Sequence, residues 1–91
     1  MDGRLVRIRG RVQGVGYRDW MLREATRLGV QGWVRNRADG SVEALLSGDA
    51  AAVGALLIAC RAGPFLARVD SIAEEFAEPP EEPGFRRLPT Q

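Results

Sequence analysis

The stretch RGRVQGVGYRDW, residues 9–20, decides the fold because a strand pattern ends in it and a helix pattern begins. Residues 4–12 alternate apolar side chains with arginines, which is typical of a half-buried β-strand. After Gly14 and Gly16, apolar residues recur every three or four positions, which predicts an amphipathic helix. The apolar positions of this helix are Tyr17, Met21, Ala25 and Leu28, and Gly29 is expected to end it.

The middle of the chain predicts a hairpin and a second helix. Residues 30–36 and 41–47 are strand candidates joined by an Asp-Gly pair, which favours a tight turn, so we expect them to pair antiparallel. Asp49 is placed to cap a helix that the Gly-Pro pair at 63–64 stops. The apolar positions of this second helix are Val53, Leu56, Leu57 and Cys60.

The C-terminal part predicts one long and one short strand. Residues 67–77 form the fourth strand, and the different parity of Val69 and Ile72 predicts either a bulge or an offset start in it. The proline-rich residues 78–84 form a connector, and residues 85–88 a short edge strand. The predicted fold class is therefore α+β: a ferredoxin-like split β-α-β-β-α-β sandwich with an antiparallel sheet, two helices on one face and a fifth edge strand.

Composition limits the classes of protein that are possible. The 91 residues are 45% hydrophobic and 27% charged, with net charge +1, so we expect a single domain over residues 1–91, cytoplasmic, monomeric and without a membrane partner. All 13 basic residues are arginine and histidine is absent, which excludes Schiff-base chemistry and a lysine-dependent phosphate loop. The single Cys60 excludes an internal disulfide and is expected to be a buried small hydrophobe instead of a reactive thiol.

The glycine-rich turn leaves two interpretations open. A loop of this kind before a helix exposes backbone N–H groups to an anion such as phosphate, yet a pair of glycines such as Gly14 and Gly16 is equally typical of a simple turn of the chain. Arg18 is suited to grip phosphate oxygens, although a surface ion pair with Asp19 or Glu24 is its ordinary alternative. The loop lacks the third glycine of a dinucleotide-binding motif.

Two segments resemble the signatures of the acylphosphatase family. IRGRVQGVGYR, residues 8–18, is similar to the first signature, and GWVRNRADGSVEALLSG, residues 32–48, to the second. GPFLARVDSI and GFRR are also similar to the family, so the resemblance covers residues 4–88. It implies hydrolysis of the carboxyl-phosphate bond of small-molecule acyl phosphates to a carboxylate and inorganic phosphate, with no metal or organic cofactor.

The resemblance also implies roles for particular residues. Arg18 corresponds to the phosphate-binding arginine of the family and Asn36 to the asparagine that orients the attacking water. The substrate-binding residues that it implies are Gln13, Gly14, Val15, Gly16, Tyr17 and Arg18. Without the resemblance, Asn36 has the alternative role of serving the hairpin turn. An asparagine is a poor base, so orientation of the water is the role that its chemistry allows.

Two alternatives compete with this interpretation. One is an RNA-binding module, because an outer stripe of arginines is predicted on the sheet, although the first strand lacks exposed aromatic residues and no nucleic acid is expected as partner. The stripe comprises Arg7, Arg9, Arg11, Arg35 and Arg37. The other is the acylphosphatase-like domain of hydrogenase-maturation carbamoyltransferases, which we expect to fit only an isolated fragment. Trp20, Trp33 and Tyr17 are expected to pack instead of stacking on substrate.

Overall fold

The structure is a computed structural model that describes residues 2–91 and has the predicted order of elements. The strands are β1 (Gly3–Arg11), β2 (Gln31–Asn36), β3 (Val42–Ser47), β4 (Arg68–Ala77) and β5 (Phe85–Arg87), and the helices are α1 (Tyr17–Leu28) and α2 (Ala50–Cys60). The strand order is β4-β1-β3-β2-β5. The first four strands are antiparallel neighbours, as predicted, whereas β5 pairs in parallel with β2 and makes the sheet mixed.

The two helices cover one face of this sheet, because alternate strand residues point into the same core as the buried helix residues. Val6 and Ile8 of β1 are completely buried in one cluster with residues of both helices. The helix residues in that cluster are Tyr17, Met21, Ala25, Val53, Leu56 and Cys60. The predicted α+β ferredoxin-like sandwich is confirmed.

The helix ends follow from local sequence. Gly16 and Gly29 flank α1 with nearly equal left-handed conformations, φ 79° and φ 75°, which glycine adopts at little cost. The Asp49 carboxylate accepts from the backbone N–H of Ala52 at 3.3 Å and caps α2. No helix within residues 2–91 has the length and apolar character needed to cross a membrane.

The predicted bulge lies between β1 and β4. Arg9 is opposite Ser71 and Gly10 is opposite Val69, so Asp70 is the extra residue of β4. The bulge moves Val69 to the same face as Ile72, and both pack against the core. Of the two predicted alternatives, a bulge or an offset start, the structure has the bulge.

Strand direction determines where the functional residues meet. Both β1 and β2 are antiparallel to β3, so they run in the same direction and end at the same edge of the sheet. The glycine turn follows β1 at this edge, and Asn36 is the last residue of β2. The topology therefore brings together two sequence segments that are about twenty residues apart.

The C-terminal residues continue along β2 beyond β5. The N–H of Leu88 donates to the carbonyl of Val34 at 2.8 Å, and the N–H of Gln91 donates to the carbonyl of Asn36 at 3.0 Å. Residues 88–91 thus reach the same edge of the sheet as the glycine turn and line up beside Asn36.

Candidate active site

A cleft with a volume of about 190 Å³ opens at the edge where β1 and β2 end. It is lined by Val12, Gly14, Gly16, Tyr17, Arg18, Asp19, Asn36 and Arg87. The structure therefore brings together five of the predicted site residues, namely Gly14, Gly16, Tyr17, Arg18 and Asn36. Across residues 2–91, no three or more His, Cys, Asp or Glu side chains are grouped so that they would hold a metal ion.

The glycine turn presents a row of unused backbone donors. Gly14 and Gly16 have φ of 74° and 79°, and nothing lies within 4 Å of where a side chain would begin at either position. The first backbone hydrogen bond of α1 is donated by Trp20 N–H to the Gly16 carbonyl at 3.0 Å. In the part of the chain that the structure describes, the N–H groups of residues 14–19 have no protein acceptor. Together with the helix dipole, these donors create a positive potential that suits an anion.

Arg18 adds a guanidinium group to the same cleft. Its Nη1 donates to the carbonyl oxygen of Leu88 at 3.0 Å, and no carboxylate lies within 4.0 Å of it among residues 2–91. The ordinary alternative, an ion pair with Asp19 or Glu24, is not formed: Asp19 pairs with an arginine of β5 at 3.1 Å, and Glu24 with Arg27 at 3.0 Å. A neutral carbonyl fixes the position of Arg18 without compensating its charge.

Asn36 contributes the polar side chain opposite the loop. Its backbone carbonyl is occupied by the C-terminal segment, but its side-chain amide has no hydrogen-bond partner within the described residues. The residue is half-buried and lines the cleft. Its amide oxygen is free to accept a hydrogen bond and its nitrogen to donate one, which are the properties needed to hold a water molecule.

Gln13 and Val15 lie in the loop but do not line the cleft. The Gln13 Nε2 donates to the carbonyl oxygens of Arg37 and Ser41 at 2.8 and 2.9 Å, so this side chain ties the loop to the β2–β3 hairpin. Val15 packs against the core. Their side chains thus hold the loop in place, and its backbone faces the cleft.

Tyr17 anchors the same loop from below. Its side chain is 2% exposed, and its hydroxyl donates to the carbonyl of Cys60 at 2.5 Å. Trp20 packs edge-on against its ring with 5.3 Å between ring centroids, in agreement with the predicted packing role of these aromatic residues. Burial raises the pKa of the Cys60 thiol to about 12, so the cysteine is neutral at physiological pH, and its predicted burial is confirmed.

Two parts of the cleft were not predicted from the sequence. Arg87 lines it, with its Nε 3.1 Å from the Asp19 carboxylate, and the Leu88 carbonyl receives Arg18. Only a short edge strand was predicted for this segment. The similarity of GFRR to the family was the available sign that it matters, but the parallel pairing of β5 with β2 cannot be inferred from local pattern.

The outer face of the sheet carries most of the predicted arginine stripe. Glu43 is only 6% exposed and lies among Arg7, Arg35 and Arg37 at 3.2, 2.8 and 3.5 Å. Burial alone would raise the pKa of Glu43, but hydrogen bonds from Arg35 and Arg7 outweigh it and hold that pKa below its ordinary value. These arginines are therefore engaged with an internal carboxylate.

Asp39 completes the charge pairing on the outer face. Arg7 and Arg9 approach its carboxylate at 3.4 and 3.3 Å. Four of the five arginines in the predicted stripe thus lie within 3.5 Å of an acidic side chain. This pairing removes much of the positive potential on which the RNA-binding alternative depends.

Comparison with known proteins places most of the chain in one family. The acylphosphatase family model matches residues 5–87. A protein of Acidiphilium cryptum named acylphosphatase is 65% identical over 81 residues, which cover 89% of each chain. An acylphosphatase of Rhodospirillum rubrum is 57% identical over 86 residues and 94% of each chain.

The fold is similar to that of a solved relative. The crystal structure of acylphosphatase from Bacillus subtilis superimposes with a TM-score of 0.90 and 32% sequence identity, and the match covers 97% of this chain and 99% of that one. Fold, signatures and relatives agree on an enzyme that hydrolyses acyl phosphates. This chain therefore belongs to the acylphosphatase family.

Proposed function

We propose that Arg18 and the backbone N–H groups of residues 14–18 bind the phosphoryl group of an acyl phosphate while Asn36 orients the attacking water. The carrying observation is that Gly14, Gly16, Tyr17, Arg18 and Asn36 line one cleft and that, among the described residues, no acidic side chain neutralises or occupies these groups. Gln13, Val15 and Tyr17 act through the loop that they hold, by the contacts of their side chains with the hairpin and the core.

The donors suit the transition state of phosphoryl transfer. In a loose transition state, negative charge spreads over the three equatorial oxygens, and catalysis rests on positioning and electrostatic stabilisation. The N–H groups of the turn are fixed by the conformations of Gly14 and Gly16, so they need no reorganisation during the reaction. Arg18 supplies a full positive charge with planar, bidentate geometry.

The leaving group explains why a strong general acid is not needed. The electron pair of the breaking P–O bond goes to a carboxylate, whose conjugate acid has a pKa of about 4, so this group departs without a proton at neutral pH. The water oxygen forms the new bond to phosphorus, and its proton passes to a phosphoryl oxygen. Asn36 accepts a hydrogen bond from this water and aligns it opposite the leaving group.

The test compares phosphate release from acetyl phosphate by the wild type and three variants. Arg18→Gln is expected to lower kcat/KM by about a hundredfold to a thousandfold, because it removes the main electrostatic donor. Asn36→Ala is expected to lower kcat by roughly a hundredfold with little change in affinity for inorganic phosphate. Arg23→Gln is the matched control, since Arg23 is exposed on the same helix and does not line the cleft.

Circular dichroism and thermal unfolding should show that all three variants remain folded. Full turnover by folded Arg18→Gln or Asn36→Ala would contradict the assigned role of that residue. An equal loss in Arg23→Gln would show that helix charge in general, and not the cleft, controls the rate.

The proposal also includes the domain organisation and the oligomeric state of the protein. Both helices and the sheet share one continuous core, which supports a single domain. We expect this domain to act as a monomer on a small-molecule substrate. Size-exclusion chromatography with light scattering, at the concentration used for the assay, tests the monomer; a dimer mass would contradict it.

A further inference from the structure

The cleft contains a second arginine. Arg87 lies opposite Val34 in the pairing of β5 with β2, and Val34 is completely buried under the helices, so Arg87 extends on the helix side of the sheet. It lines the cleft together with Arg18 and Asn36. Its neighbour Leu88 provides the carbonyl that receives Arg18, so the two guanidinium groups are brought together by adjacent residues of one strand end.

Within residues 2–91, Arg87 contacts a single carboxylate. Its Nε is 3.1 Å from the Asp19 Oδ1, and the two side chains are 45% and 56% exposed. A guanidinium group has five N–H donors, so the η nitrogens remain available after this contact. Ion pairs with this degree of exposure contribute little to stability, so Arg87 can exchange this partner for a bound anion at low cost.

The position of Asp19 relates the Arg87–Asp19 pair to phosphate binding. It lies in the first turn of α1, at the end of the helix where the unused N–H groups point. A carboxylate at this place repels a bound dianion unless a cation offsets its charge. Arg87 is the cation that contacts it.

We propose that Arg87 is a second phosphate-binding arginine, which Asp19 holds before the substrate binds and which then turns its η nitrogens to the phosphoryl oxygens of the substrate. This inference rests on the proposed function of the cleft and deepens it. The sequence signatures contain Arg18, whereas Arg87 belongs to the C-terminal strand and enters the cleft only through the parallel pairing of β5.

A purely structural role for the Arg87–Asp19 pair predicts a different pattern of variants. If the pair only fastens α1 to β5, then Arg87→Gln and Asp19→Asn break the same contact and must have the same effect. If Arg87 binds phosphate, their effects have opposite signs: Arg87→Gln removes a ligand of the anion, whereas Asp19→Asn removes a repulsive charge and frees the arginine.

The experiment is a calorimetric titration of the full chain with inorganic phosphate at low ionic strength. Arg87→Gln is expected to weaken binding by about tenfold, the value of one hydrogen bond to a charged group. Asp19→Asn is expected to bind phosphate as tightly as the wild type or a few times more tightly. Arg86→Gln is the matched control and should bind like the wild type, because Arg86 is opposite Trp33 and pairs with Glu82 at 3.4 Å.

The inference would be overturned if Arg87→Gln bound phosphate as tightly as the wild type. Equal weakening of phosphate binding in Asp19→Asn and Arg87→Gln would also overturn it, and so would the absence of phosphate binding to the wild type. Turnover of acetyl phosphate gives the second readout, where Arg87→Gln should raise KM more than it lowers kcat. Absence of acetyl phosphate turnover by the wild type would contradict the proposed function. Normal wild-type turnover together with unchanged phosphate affinity in Arg87→Gln would contradict only the role of Arg87.

Discussion

The cleft and the outer face of the sheet are both rich in arginine, but they use it in opposite ways. On the outer face, Arg7 and Arg35 approach the buried Glu43 at 3.2 and 2.8 Å. In the cleft, the neutral carbonyl of Leu88 is the one partner that Arg18 has among the described residues, at 3.0 Å. The number of arginines therefore does not indicate which surface binds an anion. For Arg7, Arg35 and Arg18, the charge of their partners does.

The two arrangements of arginine have different electrostatic consequences. A buried carboxylate and the guanidinium groups around it neutralise each other, so little positive electrostatic potential remains to attract a ligand. In the cleft, the loop N–H groups have no acceptor among the described residues, and Arg18 beside them has no acidic partner there. These donors are left to form hydrogen bonds with water or with a ligand. We therefore expect substitutions on the outer face to change stability and substitutions in the cleft to change activity.

After the Arg18 and Asn36 variants, the largest expected effect comes from Gly16→Val. Valine in the left-handed conformation at φ 79° costs about 2 kcal/mol of backbone strain, and its side chain would enter the space where the phosphate is proposed to bind. Displacement of the loop by this strain is expected to lower kcat/KM by about a hundredfold. Phosphate release from acetyl phosphate, with unfolding in urea measured in parallel, checks the result.

Gly29→Val is the matched control for this substitution. Gly29 ends the same helix with φ 75° and ψ 22°, against 79° and 23° at Gly16, and neither position has an atom within 4 Å of a new side chain. Both variants should lose a similar free energy of unfolding, but Gly29→Val should keep its turnover per folded molecule. Normal phosphate affinity in Gly16→Val would rule out close approach of the substrate at that position.

The next largest effect is expected on the outer face, in Glu43→Gln. The substitution leaves three arginines around a neutral amide, and breaking a buried ion pair by removing one partner costs about 3 kcal/mol of unfolding free energy. Turnover at a temperature where the variant is fully folded should equal that of the wild type. Urea unfolding and the acetyl phosphate assay are the two measurements.

Glu75→Gln provides a comparison for this variant, because Glu75 is exposed on β4 and opposite Leu5. It should change stability by no more than about 0.5 kcal/mol. A loss of turnover in folded Glu43→Gln would show that the two faces are coupled, and the separation between them would then have to be abandoned.

Local pattern was enough to predict much of the fold. The period-two run of β1, the three- and four-residue spacing of α1 and the cap at Asp49 are determined by neighbours along the chain, and all appear in the structure. An irregularity in β4, as a bulge or an offset start, was also predicted, because Val69 and Ile72 have different parity and must both reach the core.

The contacts that local pattern missed are between distant residues. The Arg18 contact with Leu88 spans 70 positions, and it depends on β5 joining β2 in parallel, which no spacing indicates. The arginine stripe was predicted from alternation, but its pairing was not, because Glu43 lies on a different strand and approaches only when β3 is placed between β1 and β2. Which charges remain free is thus decided by tertiary structure.

The smallest expected effect concerns Asp39 and appears only in acid. Hydrogen bonds from the Ser41 hydroxyl and backbone N–H, with a smaller contribution from Arg9, lower the pKa of Asp39 from 3.8 to about 2. Because the folded-state pKa lies below the unfolded one, the stabilisation is present above about pH 4 and is lost as the pH falls toward 2. Asp39→Asn should be slightly less stable than the wild type at pH 7 and should equal it near pH 2, with unchanged turnover at pH 7. Urea midpoints measured at pH 7, 4 and 2.5 would show the two proteins converging; curves that stay parallel over this range would mean that the carboxylate of Asp39 does not stabilise the outer face.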